Sequence, residues 1–171
     1  MLASTDPAPR RARGLAAAGL ALLLLLALFY VFGAVSDLAA VASHNLPSDH
    51  RGTFTKLTGG SFSHAGAATP GIASYISLLE RGYALHELTF GLLFIVLLAI
   101  PFRRRQRWAW WAAWLPMIAN LGYTFTFGAH DHAILARSLI ADMALPILLL
   151  AHIPAFFFRP RGSERIVSSP I

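Results

Sequence analysis

Four long apolar stretches dominate the chain and are separated by segments rich in polar residues, glycine and proline. They are Leu15 to Val35, Tyr83 to Phe102, Trp108 to Phe127 and Ser138 to Phe158. At a rise of about 1.5 Å per residue, each gives about 30 Å of helix, which matches the hydrocarbon thickness of a bilayer. The pattern predicts an all-α fold, a polytopic membrane protein with four transmembrane helices in one antiparallel bundle, formed by residues 1–171 as a single domain.

The connections between these stretches differ in length. Residues 36–82 form a connection that is long for a compact helical domain, so we expect a loop or a small cap with a functional use. Within it, residues 72–81 carry apolar side chains at helical spacing, which predicts an interfacial helix leading into the second span. The other two connections are short, so helices two, three and four should be consecutive antiparallel neighbours.

Basic residues set the expected orientation. Of the 14 lysines and arginines, ten precede the first stretch, join the second to the third, or follow the fourth. Four antiparallel helices would place all of these positions on one side of the membrane. These ten are Arg10, Arg11, Arg13, Arg103, Arg104, Arg105, Arg107, Arg159, Arg161 and Arg165. Because positive residues concentrate in cytoplasmic loops, we expect both tails, 1–14 and 159–171, inside and residues 36–82 outside, in the cell inner (plasma) membrane as a multi-pass protein.

Composition agrees with a membrane protein and excludes other classes. With 56% hydrophobic and 13% charged residues, the chain is too apolar for a disordered segment or an ordinary soluble domain of this size. The net charge of +6 suggests nucleic acid as a partner. However, the basic residues form short collars at helix ends rather than a basic face, so we expect the bilayer as the partner and no nucleic acid.

The first apolar stretch also resembles a secretory signal peptide. Arginines precede it, and the triplet Ala40-Val41-Ala42 resembles a cleavage site. Signal-peptide cores usually run about 7 to 15 residues, and this stretch is longer. We therefore favour a retained signal-anchor helix.

Tryptophan is concentrated at the start of the third stretch. Trp108, Trp110, Trp111 and Trp114 follow the arginines of the 103–107 connection. Indole rings are enriched at membrane interfaces, so we interpret this cluster as an anchor at the headgroup level.

Polar side chains within the apolar stretches point to a candidate site, because an ionisable group in hydrocarbon is costly and is seldom kept without a partner or a task. At about 1.5 Å per residue, Glu87, Thr124 and Asp142 lie about 6 Å below the outer face, and Asn120 lies about 6 Å deeper. The candidate ligand-binding residues in the outer half of helices two to four are His86, Glu87, Asn120, Tyr123, Thr124 and Asp142.

A metal site is an alternative use of the same region. The chain has no cysteine, so thiolate ligands and disulfides are excluded. Imidazoles and carboxylates can hold zinc or another divalent ion, although the spacing matches no known ligand motif. The candidate ligands are His86, Glu87, His130, Asp131, His132 and Asp142. We expect no cofactor, with a divalent metal as the alternative.

Two functions of different classes remain open. One is a non-enzymatic membrane protein that binds a small or lipidic ligand, or a membrane-protein partner, in the outer half of helices two to four. The other is an enzyme or an ion- or proton-handling protein that uses Glu87 and Asp142 with a nearby histidine. We favour the first because the sequence has no nucleophile motif, phosphate loop or cofactor fingerprint. A third interpretation is structural, in which Glu87, Asn120 and Asp142 only bridge helices.

Part of the chain resembles a known group of proteins. The segment with His86-Glu87, Phe102-Arg103-Arg104, Arg107-Trp108-Ala109-Trp110-Trp111 and Gly122-Tyr123 resembles small bacterial, often actinobacterial, four-helix integral membrane proteins of unassigned function. The resemblance extends over about residues 83–158. It implies a multi-helix membrane fold and neither an activity nor catalytic residues.

Overall fold

The computed structural model describes residues 10–158, with side chains from Gly14 onward, and this part of the chain is helical without a strand. The predicted cytoplasmic tails therefore lie largely outside it. The helices are α1 (Arg10–Ala42), α2 (Ser48–Thr58), α3 (Phe62–Ala68), α4 (Pro70–Leu97), α5 (Arg107–Ala112), α6 (Leu115–Tyr123), α7 (His132–Ala151) and α8 (Ile153–Phe157). One π-helical turn, Leu98–Phe102, continues α4, and another, Thr124–Gly128, continues α6.

Three helical segments are long and apolar enough to cross a membrane. They are Gly14–Ala42, Pro70–Phe102 and His132–Phe157. Their outward surfaces carry large apolar side chains that the rest of the chain leaves uncovered, such as Phe32, Leu93 and Ile140. A soluble domain would bury such side chains, whereas a lipid-facing surface exposes them.

The third predicted span, Trp108 to Phe127, is not one continuous helix. It consists of α5, α6 and the turn Thr124–Gly128, with a break at Ala113 and Trp114 between the two helices. Pro116 lies in the first turn of α6. Because proline has no N–H and crowds the preceding turn, it interrupts a continuous α-helical hydrogen-bond ladder at this point.

Residues 36–82 are more regular than the sequence suggested. Helix α1 continues to Ala42, and two short helices, α2 and α3, follow it. Residues 72–81, predicted as a separate interfacial helix, belong to the long helix α4, which begins at Pro70. Proline favours the first turn of a helix, and residues 71–97 contain no further proline, so one helix forms through Gly82.

The bundle has two ends with different contents. We call the end near Arg103 to Arg107 the arginine end, and the end covered by α2 and α3 the capped end. The apolar core lies toward the arginine end, where Trp110 donates a hydrogen bond from Nε1 to the carbonyl oxygen of Leu149 at 2.8 Å. Its buried members are Leu23, Ala27, Phe94, Leu98, Phe102, Ala109, Trp110, Ala113, Leu145, Leu149 and Phe156.

Helices α1 and α4 cross closely at Gly91. A Cβ atom at this position would lie 2.9 Å from Cγ2 of Val31 and 3.1 Å from its backbone nitrogen. Glycine at this position therefore lets the backbone of α1 approach α4 closely. The crossing separates the packed core from the polar residues of the capped end.

The tryptophan cluster and His152 both lie at the arginine end, and part of each contributes to the packing of the core. Trp108 and Trp111 are exposed, as an interfacial anchor requires, but Trp110 is buried in the core. His152 is also buried, with Nδ1 at 2.7 Å from the carbonyl oxygen of Leu148 and Nε2 at 3.2 Å from that of Ala16. This imidazole joins α7 to α1 as a packing residue.

Candidate functional site

A cavity of about 400 Å³ lies among the helices toward the capped end. Helices α1, α2, α4, α6 and α7 each contribute to its wall. Its lining residues are Phe29, Tyr30, Gly33, Asp37, Asp49, Tyr83, His86, Glu87, Phe90, Ala119, Asn120, Tyr123, Ile134, Arg137, Ser138, Ala141 and Asp142. A concave, mostly apolar site with a few polar groups of this volume is the usual form of a small-molecule binding site.

The structure brings most of the candidate binding residues to this cavity. His86, Glu87, Asn120, Tyr123 and Asp142 line it. Thr124 does not line it but lies directly behind Asp142, to which it is hydrogen-bonded. The site is therefore not confined to the second, third and fourth apolar stretches, because α1 and α2 also supply wall residues.

Asn120 and Asp142 each make one hydrogen bond and leave one buried atom without a partner. Tyr30 donates its hydroxyl to Oδ1 of Asn120 at 2.7 Å, and Thr124 donates to Oδ2 of Asp142 at 2.7 Å. In the described part of the chain, Nδ2 of Asn120 and Oδ1 of Asp142 are buried with no hydrogen-bond partner. Buried polar atoms are nearly always paired, so these two require an explanation.

The carboxylate of Glu87 lies against α1. A Cβ at Gly33 would stand 3.3 Å from Oε1 of Glu87, so the absence of a side chain at this position makes room for the carboxylate. Asp37 lies one helical turn beyond Gly33 and shares its face of α1. Both Asp37 and Glu87 line the cavity. This wall is thus acidic on two neighbouring helices.

Helix α2 is attached to the bundle beside the cavity through two polar contacts. Nδ1 of His50 lies 2.7 Å from Oε2 of Glu80, and the hydroxyl of Tyr123 donates to Oδ2 of Asp49. The imidazole of His50 is also stacked on the ring of Phe127, with 4.4 Å between the centroids. These contacts attach α2 to α4 and to the segment that includes α6.

The charge of His50 depends on its surroundings. Burial lowers its pKa, but the hydrogen bond and negative charge of Glu80, with Asp49 and Asp37 further away, outweigh burial and raise the pKa above its usual 6.5. The imidazolium form is therefore favoured at the contact with Glu80. His50 is 5% exposed, so its ion pair with Glu80 is well shielded from water.

The segment His130-Asp131-His132 has a structural use in the fold. Asp131 caps the N-terminus of α7 by accepting a hydrogen bond from the backbone N–H of Ala133, and its Oδ2 lies 3.2 Å from Nζ of Lys56. The Ala133 hydrogen bond and Lys56 lower the pKa of Asp131. His130 and His132 are exposed and do not line the cavity.

The candidate metal ligands are therefore divided between two places. His86, Glu87 and Asp142 line the cavity, whereas His130, Asp131 and His132 lie at the turn before α7. Between residues 10 and 158, no three His, Asp or Glu side chains are grouped as a metal site would require.

Several site residues were not predicted from the sequence. They are Tyr30, Asp37, Asp49, His50, Glu80, Tyr83 and Arg137. Asp37 follows the first apolar stretch and was assigned to the loop, although the apolar residues after it could have indicated that the helix continues. Pro47 and Ser48 before Asp49 are a helix-start signal that could have placed Asp49 and His50 on α2.

The chain was compared with protein-family models, with curated proteins and with solved structures, and none of the three comparisons found a match. The resemblance to small bacterial membrane proteins stays a prediction.

Proposed function

We propose that the chain is a four-pass protein of the plasma membrane, with its arginine end in the cytoplasm and its capped end outside. The distribution of lysine and arginine supports this orientation. The segment from Arg107 to Gly128, although broken, is long enough at about 1.5 Å per residue to return the chain across the bilayer. A broken helix is tolerated in a membrane where neighbouring helices cover the break.

The absence of cysteine makes this topology simple to test. A single cysteine at Ser63 in α3 should react in intact cells with a thiol reagent that cannot cross membranes. A single cysteine at Arg104 should react only after the cells are opened. Labelling of Arg104→Cys in intact cells would contradict the proposed orientation.

Within this topology, we propose that the protein binds a small or lipidic ligand in the cavity and performs no chemistry on it. The observation that carries the proposal is the cavity of about 400 Å³, on whose wall Asn120 and Asp142 each have a buried polar atom without a partner between residues 10 and 158. One is a donor and the other an acceptor. A ligand with a polar group would satisfy them, while its apolar part would lie against Phe29, Phe90 and Ile134.

The aromatic and aliphatic part of the wall supports the same function. Apolar lining supplies most of the free energy of small-molecule binding, and a few polar groups fix the orientation of the ligand. The helices that form the wall also carry exposed apolar side chains on their outer surfaces, so a ligand dissolved in the bilayer would contact these helices.

The test uses a matched pair of substitutions on α7. Ala141 lines the cavity, whereas Ala136 is exposed on the same helix and does not line it. Native mass spectrometry of protein extracted from its own membrane should show a bound small molecule in the wild type and in Ala136→Trp. The mass should be lost in Ala141→Trp, because the indole fills the cavity. Equal occupancy in both variants, or none in the wild type, would contradict the proposal.

A second candidate function is proton or ion handling, favoured by the presence of Glu87 and Asp142 on one cavity wall. Carboxyl groups at membrane depth are often proton carriers. In that case Glu87→Gln and Asp142→Asn should each abolish a proton flux measured in liposomes with a pH-sensitive dye, whereas Asp131→Asn, outside the cavity, should leave the flux unchanged. Unchanged flux would remove this candidate.

A further inference from the structure

The charges on the cavity wall are unbalanced. Four carboxyl groups, Asp37, Asp49, Glu87 and Asp142, line it, against one guanidinium group, that of Arg137. Arg137 is exposed, and its Nε atom lies 3.3 Å from the carbonyl oxygen of Ala133 on its own helix. In the described chain it forms no ion pair with any of the four carboxylates.

The four carboxyl groups are only partly satisfied by the protein. Asp49 accepts a hydrogen bond from Tyr123, and Asp142 accepts one from Thr124. Over residues 10–158, the side chains of Asp37 and Glu87 form neither a hydrogen bond nor an ion pair. Asp37 and Glu87 are partly buried, and a carboxylate that loses part of its hydration without gaining a partner is destabilised, so the site is incomplete as it stands.

Asp142 shows this most directly. Its side chain is 4% exposed, it lines the cavity, and its Oδ1 atom has no partner among the described residues. To be stabilised, a buried carboxylate oxygen needs a hydrogen-bond donor, which here a ligand would supply. An ammonium group supplies both a donor and the opposite charge.

Aromatic rings complete the chemistry of the wall. Phe29, Tyr30, Tyr83, Phe90 and Tyr123 all line the cavity together with the carboxyl groups. The face of an aromatic ring attracts a cation, and aromatic enclosures are a general means of binding ammonium ligands. The same rings would cover the apolar part of such a ligand.

We propose that the ligand of this cavity is an organic cation, a protonated amine with a compact apolar body. The inference rests on the proposed ligand-binding function and adds the charge of the ligand to it. The positive group lies among Asp37, Glu87 and Asp142, and the apolar body lies against Phe29, Phe90 and Ile134.

Three probes with the same apolar cage and different head groups test the proposal. They are 1-adamantylamine, which is cationic at neutral pH, 1-adamantanol, which is neutral, and 1-adamantanecarboxylate, which is anionic. Binding is measured by calorimetry with the full chain in lipid nanodiscs, and empty nanodiscs give the correction for partition into lipid. The amine should bind at least about tenfold more tightly than the alcohol, which corresponds to about 1.4 kcal/mol, and the carboxylate should bind least.

Variants connect the preference to the cavity. The charge-removing pair Glu87→Gln and Asp142→Asn should each reduce the amine's advantage over the alcohol while leaving alcohol binding in place. Asp131→Asn, which removes a carboxylate outside the cavity, is the matched control and should leave the advantage unchanged. Ala141→Trp should reduce binding of all three probes.

The outcomes separate this inference from the proposed function. Equal binding of the three probes, lost in Ala141→Trp, would overturn the cationic ligand and leave the ligand-binding cavity standing. Tightest binding of the carboxylate would assign the head group to Arg137 and also overturn the inference. Binding of none of the probes would overturn both.

Discussion

The two ends of the bundle share helices α1, α4 and α7 but differ in how closely they are packed. At the arginine end, Leu98, Leu145 and Leu149 are fully buried, and the indole N–H of Trp110 has a carbonyl partner. At the capped end, the helices leave a cavity, and Nδ2 of Asn120 and Oδ1 of Asp142 on its wall are buried without a partner among the described residues. The arginine end is packed for stability, and the capped end is left open.

The difference indicates that residues on one side of Gly91 stabilise the fold, whereas residues on the other side form the cavity. Gly91 marks the boundary, because the close crossing of α1 and α4 there fixes the core on one side and lets the helices line a cavity on the other. Substitutions on the two sides should therefore affect different measurements. Core substitutions should lower stability, and cavity substitutions should change ligand binding.

The largest effect should come from the core. Leu149→Ala removes a fully buried side chain and should cost about 2–5 kcal/mol of unfolding free energy, because the cavity left behind cannot collapse completely. Leu150 is the matched control, since it is 51% exposed on the outer surface of the same helix. Leu150→Ala should stay within about 0.5 kcal/mol. Unfolding in detergent measures both, and equal losses would remove the distinction between core and exterior.

The next effect should come from the boundary. Gly91→Ala places a Cβ within 2.9 Å of Val31 and should cost about 1–3 kcal/mol, because the helices must move apart. Gly122 in α6 has open space around the same position, so Gly122→Ala should be neutral or stabilising by about 0.4–1 kcal/mol. Thermal unfolding measures the stability of both variants. Equal unfolding temperatures for the two variants would show that the close approach at Gly91 does not matter for stability.

A smaller effect is expected from the polar bridge of the capped end. Tyr30→Phe removes the hydroxyl that bonds Asn120 and should cost about 1 kcal/mol, a typical value for one hydrogen bond. Tyr75→Phe is the control, because Tyr75 is 61% exposed. The same unfolding assay applies. A loss as large as that of Leu149→Ala would show that the capped end also carries the stability of the fold.

The smallest effect should be a pH dependence of the hydrogen-exchange protection of α2. The pKa of His50 is raised in the folded protein. The stabilisation that protonated His50 gives to the folded state is therefore complete below about pH 6.5 and is lost as pH rises through the folded pKa. Hydrogen-exchange protection of α2 should therefore differ more between wild type and His50→Gln at pH 6 than at pH 8. Glu80, Asp49 and Asp37 face His50 and are the same in both proteins.

His64→Gln provides the control for this measurement, since His64 is exposed in α3. It should leave the protection of α2 unchanged at both pH values. A His50→Gln difference that is equal at pH 6 and pH 8 would contradict the role of the imidazolium.

The sequence was sufficient for the all-helical fold and for three apolar helices, because the length and hydropathy of the stretches reflect lipid thickness directly. It did not reveal the break at Ala113 and Trp114, although Pro116 was visible, since proline is tolerated in many membrane helices. The extension of α1 to Ala42 was also missed, because Ser36 and Asp37 interrupt the apolar run before it resumes at Leu38.

The candidate site was predictable only in part for a similar reason. Glu87, Asn120 and Asp142 were predicted as site residues because they are polar and lie within apolar stretches, and all three line the cavity. Asp49 and His50 lie outside those stretches, and only the path of the chain brings them back to Tyr123 and Glu80. Contacts of this kind depend on tertiary structure and leave no local pattern.

The most direct test of the difference between the two ends is cysteine accessibility in this cysteine-free chain. Ala141 lines the cavity, whereas Ala113 is fully buried in the core. A small neutral thiol reagent should modify Ala141→Cys quickly and Ala113→Cys slowly or not at all, with both variants folded. Equal rates of modification at the two positions would contradict an open capped end and a closed arginine end.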